Sequence, residues 1–256
     1  MKGHEAGAAT DVGKVRDHNE DRSLVERRRD TLIVAVADGV GGAQGGDVAS
    51  EAAIAELARA YFDGGGRNLA KDLVAAMKSA NTAVLGTAEQ RGLKGAATTL
   101  VAAAIKGRRA AIGNLGDSRA YVLRKGALRQ ITKDHTGSVN RSITRFAGDP
   151  RGANPDVFVE RLSAGDRLLL CSDGVTIHLE SQDIVPLLSS GDAETAAHSL
   201  VSEAVQRGGR DNATAVVVIA APPRRRWDLV VLWTTFVLAL LAIASTMFYV
   251  SQQTPH

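Results

Sequence analysis

The sequence predicts an α+β fold, two packed antiparallel β-sheets flanked by helix pairs in an α-β-β-α sandwich, with one transmembrane helix added at the C-terminus. Three observations lead to it. Apolar, β-rich segments recur along residues 31–220 with Gly and Asp turns between them. Most connections are short, which favours antiparallel pairing, and the helical stretches come in pairs between runs of strands. Last, Leu229 to Val250 contains no charged residue at all.

In chain order, the predicted strands are Thr31 to Ala37, Thr98 to Ile105, Arg109 to Asn114, Ala120 to Leu123, Val157 to Leu162, Arg167 to Cys171 and Thr214 to Ala220. The predicted helices are Asp47 to Phe62, Asn68 to Gln90, Ser181 to Leu188 and Ala193 to Arg207. The first of these has Asp47 at the N-cap and an apolar stripe of Val48, Ala52, Ala55 and Ala58. Gly64-Gly65-Gly66 turns it into the second. A helix pair cannot cover both faces of one half-wet sheet, so a second sheet is expected between the pairs.

At about 1.5 Å per residue, the run Leu229 to Val250 crosses a hydrocarbon layer of roughly 30 Å. Trp227, Trp233 and Tyr249 fit interfacial belts, and Arg224-Arg225-Arg226 predicts a cytoplasmic amino side. No apolar signal segment opens the sequence. The expected organisation is therefore a cytoplasmic domain over 1–220, a basic juxtamembrane linker over 221–228, a single-pass C-terminal anchor over 229–250 and a tail over 251–256. The linker is short enough to hold the domain against the membrane surface.

Composition excludes several functions. The net charge is +3, yet the basic residues are scattered apart from two Arg triplets and aromatic residues make up 4%, so no nucleic-acid platform is expected. The single cysteine, Cys171, permits no intrachain disulfide and sits in an apolar run as a core thiol. A tyrosine-phosphatase-like site needs Arg six positions after its Cys, where Ile177 stands. The glycines at 41, 42, 45 and 46 lack the Lys of a P-loop and the spacing of a dinucleotide loop, and the six histidines lack zinc spacing.

The chemistry lies in the carboxylates. Asp38-Gly39 and Asp173-Gly174 each close an apolar strand, and Asp211 follows in Arg210-Asp211-Asn212. A buried strand fixes its terminal Asp, the glycine admits close approach, and carboxylate oxygens are hard ligands suited to Mg²⁺ or Mn²⁺.

These residues belong to an ordered series: residues 12–21 (VGKVRDHNED), 36–42 (VADGVGG), 95–99 (GAATT), 116–121 (GDSRAY), Asp134-His135, 171–174 (CSDG) and 211–214 (DNAT). In order and spacing the series resembles the bacterial branch of the metal-dependent protein serine/threonine phosphatases of type 2C. The likeness covers about residues 7 to 220. It implies two Mn²⁺ or Mg²⁺ ions, one bridging ligand Asp38, the Gly39 carbonyl on one ion, and Asp173 with Asp211 on the other. Glu20 and Asp21 are implied to act through metal-bound waters, Arg16 to grip the substrate phosphate, and Asp117 to hold a third, weaker ion. Thr98, Thr99, His135 and Asn212 are implied to support these ligands. Implied partners are phosphorylated proteins, including a Ser/Thr kinase or its substrates.

Two departures stand out. Val40 occupies the place of a His carried by some relatives. Only five residues separate His135 from Arg141, so the flap beside the site is expected to be shortened or absent and the cleft open. The rival readings are a non-catalytic binding module on the same fold and a hydrolase of small phosphoesters or nucleotides.

Overall fold

The structure, a computed structural model, describes residues 3–40, 45–65, 68–137, 142–222 and positions 233, 235 and 236. The chain divides into two units, Met1–Pro222 and Pro223–His256. In the first unit, one sheet has the order β1 (Glu5–Asp11), β12 (Ala213–Ile219), β11 (Arg167–Cys171), β8 (Arg119–Arg124), β9 (Ala127–Gln130). The other runs β10 (Asp156–Arg161), β7 (Arg109–Leu115), β6 (Leu100–Lys106), β3 (Thr31–Ala37), β2 (Arg22–Arg28). All neighbouring strands are antiparallel, and a small ladder joins β4 (Gly39–Val40) to β5 (Ala97–Thr98).

Strand periodicity builds three apolar layers. Leu32, Val34 and Val36 of β3 meet Leu168, Leu170, Val216 and Val218 in the layer between the sheets. Ile33, Ala35 and Ala37 turn the other way, under α1 (Gly46–Asp63) and α2 (Leu69–Gln90). Leu169, Ala215 and Val217 face outward beneath α4 (Ser181–Ser189) and α5 (Ala193–Arg207). Central strands are thus buried on both faces, which is why they read as unbroken apolar runs.

The β3 and β11 ranges and α5 coincide with those expected. The expected strand Thr98 to Ile105 is instead divided: Thr99 leaves the ladder between β5 and β6 and its N–H donates to the Asp38 carbonyl at 2.8 Å. The unexpected strands β1, β2 and β9 are all sheet edges, where one face is wet and polar residues dilute the pattern. For α1, Gly45 at φ 125° is the N-cap and Asp47 lies in the first turn without capping it. Its buried row is Ala49, Ala53, Leu57 and Tyr61, whereas Ala55 of the expected stripe is exposed. A strict i+4 row wins because α1 packs on β3 and α2 together. Elsewhere the caps are conventional: Asn68 accepts from Lys71 N–H at 3.1 Å and Asp192 from Thr195 N–H at 2.8 Å.

Between β9 and β10, where a shortened flap is expected, the described residues form no helix or strand beyond isolated bridges. Residues 138–141 lie outside the described part. The remainder is fastened to α2 by Asn81, whose Oδ1 accepts from the N–H groups of Gly148 (2.8 Å) and Asp149 (2.9 Å).

In the second unit Trp233, Thr235 and Phe236 are helical, with the Trp233 and Phe236 rings edge to face at 6.3 Å. The rest of the expected span Leu229 to Val250 lies outside the described residues, among which no helix is long and apolar enough to cross a membrane.

Truncating Leu170, fully buried between the sheets, to Ala is expected to cost about 2–5 kcal/mol of unfolding free energy in a denaturant titration. A cost under about 1 kcal/mol would mean that the sheets do not pack directly on one another.

Candidate metal centre

Antiparallel pairing brings the ends of β3, β7 and β11 beside the starts of β6, β8 and β12, so Asp38, Asp117, Asp173 and Asp211 emerge at one end of the sandwich. The loop 12–21 after β1 lies across this end. Asn212 holds it in place: its Oδ1 accepts from Glu20 N–H at 2.8 Å, while its Nδ2 donates to the Val12 carbonyl (2.9 Å) and the His18 carbonyl (3.0 Å). Gly13, at φ 80°, completes the seat, because a Cβ there would stand 2.4 Å from the Asp211 carbonyl oxygen.

Asp38 is positioned through its backbone. Its N–H donates to Thr99 Oγ1 at 3.1 Å, and its carbonyl accepts from Thr98 Oγ1 at 2.9 Å. Thr99 Oγ1 is itself 2.7 Å from Ser118 Oγ, which ties Asp38 to the Asp117 turn. His135 supports that turn from behind: Nδ1 accepts from Gly116 N–H at 3.2 Å, so Nε2 carries the proton and donates to Asp156 at 3.1 Å. Gly39 is required for close approach of protein to protein, since a Cβ there would meet Gly46 backbone at 2.6 Å and Glu20 Cβ at 2.8 Å.

The electrostatics are those of crowded anions. Burial, and then Asp21, Asp173, Asp211 and Asp117, raise the Asp38 carboxyl well above its ordinary range. Burial also pushes Asp173 up to about 6, with Asp117 and Asp211 adding to it and a hydrogen bond to Asp38 opposing it. Asp21 is pushed up to about 6 chiefly by burial, despite accepting from Ser172 Oγ at 2.7 Å; its other oxygen, Oδ1, has no partner. Burial and then Asp47 raise Glu20, while Arg16 pulls it down. Asp117 is raised by burial. Arg16 lies at the rim, donating to Asp211 Oδ2 at 2.8 Å with nearly half its side chain exposed.

Among the described residues no group of three or more His, Cys, Asp or Glu is already arranged to hold a metal ion. Asp211 is turned to Arg16, which takes one of its carboxylate oxygens at 2.8 Å. Even so, the donor set fits divalent cations. Hard oxygens are concentrated where burial, and then like charge, raises their proton affinity, and the buried Asp21 Oδ1 lacks any donor.

Ser172 and Asn114 were not singled out by the sequence. Ser172 Oγ joins Asp21 to the Thr214 N–H (3.0 Å), and Asn114 Nδ2 donates to the Gly116 and Lys133 carbonyls, both at 3.1 Å. Each sits one or a few residues before a site aspartate, the only signal that marked them. Cys171 is fully buried, its thiol pushed up to about 12 by burial.

A two-sheet sandwich with an aspartate cluster at one strand end defines a metal-dependent phosphatase class. The chain belongs to the protein phosphatase 2C family, whose family model matches residues 14–206. It is 36% identical over 228 residues to the serine/threonine protein phosphatase PstP of Mycobacterium tuberculosis, covering 82% of this chain and 44% of that protein's length. It is 33% identical to the serine/threonine phosphatase stp of Listeria welshimeri, covering 82% of this chain and 93% of that one. The crystal structure of the PstP catalytic domain in complex with two manganese ions superposes with TM-score 0.77 at 35% identity, covering 85% of this chain and 98% of that one.

Two predictions follow from the geometry. Asn212→Ala strands the groups that Asn212 joins, and an unfolding titration should show a loss of about 1–3 kcal/mol. The raised carboxylates set a pH dependence in chelator. Asp21 and Asp173 hold protons to about pH 6 when folded, so their contribution favours folding at acid pH and is lost as pH rises through that value. Mn²⁺ should therefore raise the melting temperature more at about pH 7.5 than at about pH 5; an equal rise at both would contradict this electrostatic account.

Proposed function

We propose that this chain is a metal-dependent protein serine/threonine phosphatase held at the membrane, hydrolysing phosphoserine and phosphothreonine in proteins. The observation that carries the reading is the crowding of Asp38, Asp173, Asp211, Asp21 and Asp117, from separate parts of the chain, at one strand end beside the Arg16 guanidinium. Asp38, the Gly39 carbonyl, Asp173 and Asp211 are the proposed ligands of two Mn²⁺ or Mg²⁺ ions, with Glu20 and Asp21 reaching them through water and Asp117 serving a third, weaker site. Bound there, the cations supply Lewis acidity, lowering the pKa of a bridging water for direct in-line attack and neutralising charge on the phosphoryl oxygens.

The chain's own residues do the rest. Arg16 is exposed and, among the described residues, ion-paired with Asp211 alone, so it can exchange that carboxylate for a phosphate, which its planar fork grips in two places. Thr98 and Thr99 lock the backbone of Asp38, and Asn212 keeps loop 12–21 closed over the cluster. The apolar run Leu229 to Val250, behind an Arg triplet, supports a single-pass anchor with the domain in the cytoplasm, where a Ser/Thr kinase or its substrates are the proposed partners.

With Mn²⁺, the full chain is expected to turn over phosphoserine and phosphothreonine peptides, and to prefer them to nucleotides. Asp38→Asn should lower kcat/KM by roughly a hundredfold or more, and Arg16→Ala by roughly ten- to a hundredfold, mainly through KM. No turnover of peptide, aryl phosphate or nucleotide would leave a binding module, and nucleotide preference a small-phosphoester hydrolase.

A further inference from the structure

The strands give the domain two chemically opposite ends. Away from the aspartates, the hairpin turns after β2, β6 and β8 and the end of β10 lie together, joined across the sheets: His4 Nε2 donates to the Gly107 carbonyl at 2.6 Å, His4 Nδ1 accepts from Ala221 N–H at 3.1 Å, and Arg124 donates to the Arg161 carbonyl at 2.8 Å. The carboxylates here are already neutralised, Glu26 by Arg28 (2.7 Å), Asp30 by Lys106 (3.3 Å), Asp166 by Arg124 (2.6 Å) and Glu160 by Arg129 (2.7 Å). Arg29, Arg109, Lys125 and Arg161 are exposed and have no ion pair among the described residues. Two of these cations stand at the hairpin tips at φ 53° (Arg29) and φ 50° (Lys125), the only non-glycine residues with positive φ among the described residues. Such turn positions normally take Asn or Gly.

A cavity of about 380 Å³ opens on this face, lined by Arg28, Arg29, Lys106, Tyr61 and Phe62 among others. Arg28 covers the Phe62 ring at 4.5 Å, and the Tyr61 hydroxyl is buried without a hydrogen-bond partner. Asp30 also lines the cavity, so of its three cations Arg29 alone has no ion pair among the described residues, while Arg28 and Lys106 each share one carboxylate; this cationic excess and the idle phenol suit an oxygen-rich anion. The breadth of the surrounding charge suits a flat anionic surface better than a strip-like peptide. By sequence, β12 also runs out at this end, with Arg224-Arg225-Arg226 following and residues 223–228 alone preceding the apolar run.

We propose that this hairpin end docks on an anionic phospholipid surface, with a headgroup phosphate received between Arg29, Lys106 and Tyr61. The aspartate cluster then opens away from the bilayer, by roughly 20 Å for seven-residue strands at about 3.3 Å per residue. This rests on the membrane reading above. It adds which face meets the lipid and how far a phosphoresidue must stand from the bilayer to be reached.

The test uses the full chain carrying one fluorophore, at Ala127→Cys on the basic end or Val15→Cys near the aspartates; both positions are exposed, and the buried Cys171 does not compete. Vesicles contain a headgroup quencher in phosphatidylcholine, with or without about 20% phosphatidylserine. In anionic vesicles, quenching at Ala127 should exceed that at Val15 by about threefold, and the excess should vanish in about 0.5 M salt or with Arg29→Glu, Arg109→Glu and Lys125→Glu combined. Equal quenching at both positions, or an excess indifferent to salt and charge reversal, would overturn the proposal. Flotation separates it from the anchor. Chain that floats with neutral vesicles in high salt but shows equal quenching keeps the anchor and loses the docking face. Chain that floats only with anionic vesicles and is released by salt, with the excess at Ala127, keeps the face and loses the anchor. Chain that floats with neither overturns both.

Discussion

Mutual repulsion among aspartates at the ends of buried strands is the constraint on which the rest of the structure depends. Asp38 feels four other carboxylates and Asp173 two, in surroundings that solvate charge poorly. A fold left to minimise its own energy would not gather them. They are held because each is attached to a strand or loop that the apolar layers or backbone hydrogen bonds fix independently. The layer between the sheets sets where β3, β11 and β12 end; Thr98, Thr99 and Asn212 set the last few ångströms. Local instability is thus supported by stability elsewhere, the usual arrangement at a functional site.

The hydrogen bonds around the cluster reach backbone more often than carboxylate. Asn212 and His135 hold loops, and Thr98 and Thr99 hold the Asp38 peptide, so the acidic oxygens stay free to accept something else. The exceptions are Asp21, which accepts from Ser172 Oγ, and Asp211, which accepts from Arg16 and from the Asn212 N–H. Arg16 is exposed at the rim with Asp211 as its one ion-pair partner among the described residues, whereas Arg119 at the flank is held by Asp134 through three contacts of 2.7 to 3.1 Å. The contrast assigns the first to ligand exchange and the second to architecture.

Much of this was legible in the sequence. Central strands announced themselves because burial on both faces leaves no room for polar residues, and the Asp-Gly pairs that close β3 and β11 were visible as breaks in those runs. Three of the four edge strands were not, since β2 carries Arg and Glu on its open face and β9 is four mostly exposed residues; β10, the fourth, was. The buried face of α1 was misjudged because a helix rich in Ala offers several plausible stripes; only packing on β3 and α2 selects Ala49, Ala53, Leu57 and Tyr61. The supporting roles of Ser172 and Asn114 depend on which loops meet in space, and spacing along the chain carries no trace of that. Gly39, read from the sequence as admitting close approach to a cation, also makes room for protein: its missing side chain leaves space for Gly46 and Glu20.

The burial of Cys171 has a bearing on the conditions under which the protein works. Phosphatases that attack through a thiolate are silenced when peroxide converts that sulfur to sulfenic or higher acids, a sensitivity that grows with thiolate character and access. Here the one thiol is sealed beneath α4 and α5 with its proton held far above neutral pH. Oxidative bursts that switch off thiol chemistry find no reactive thiolate in this chain.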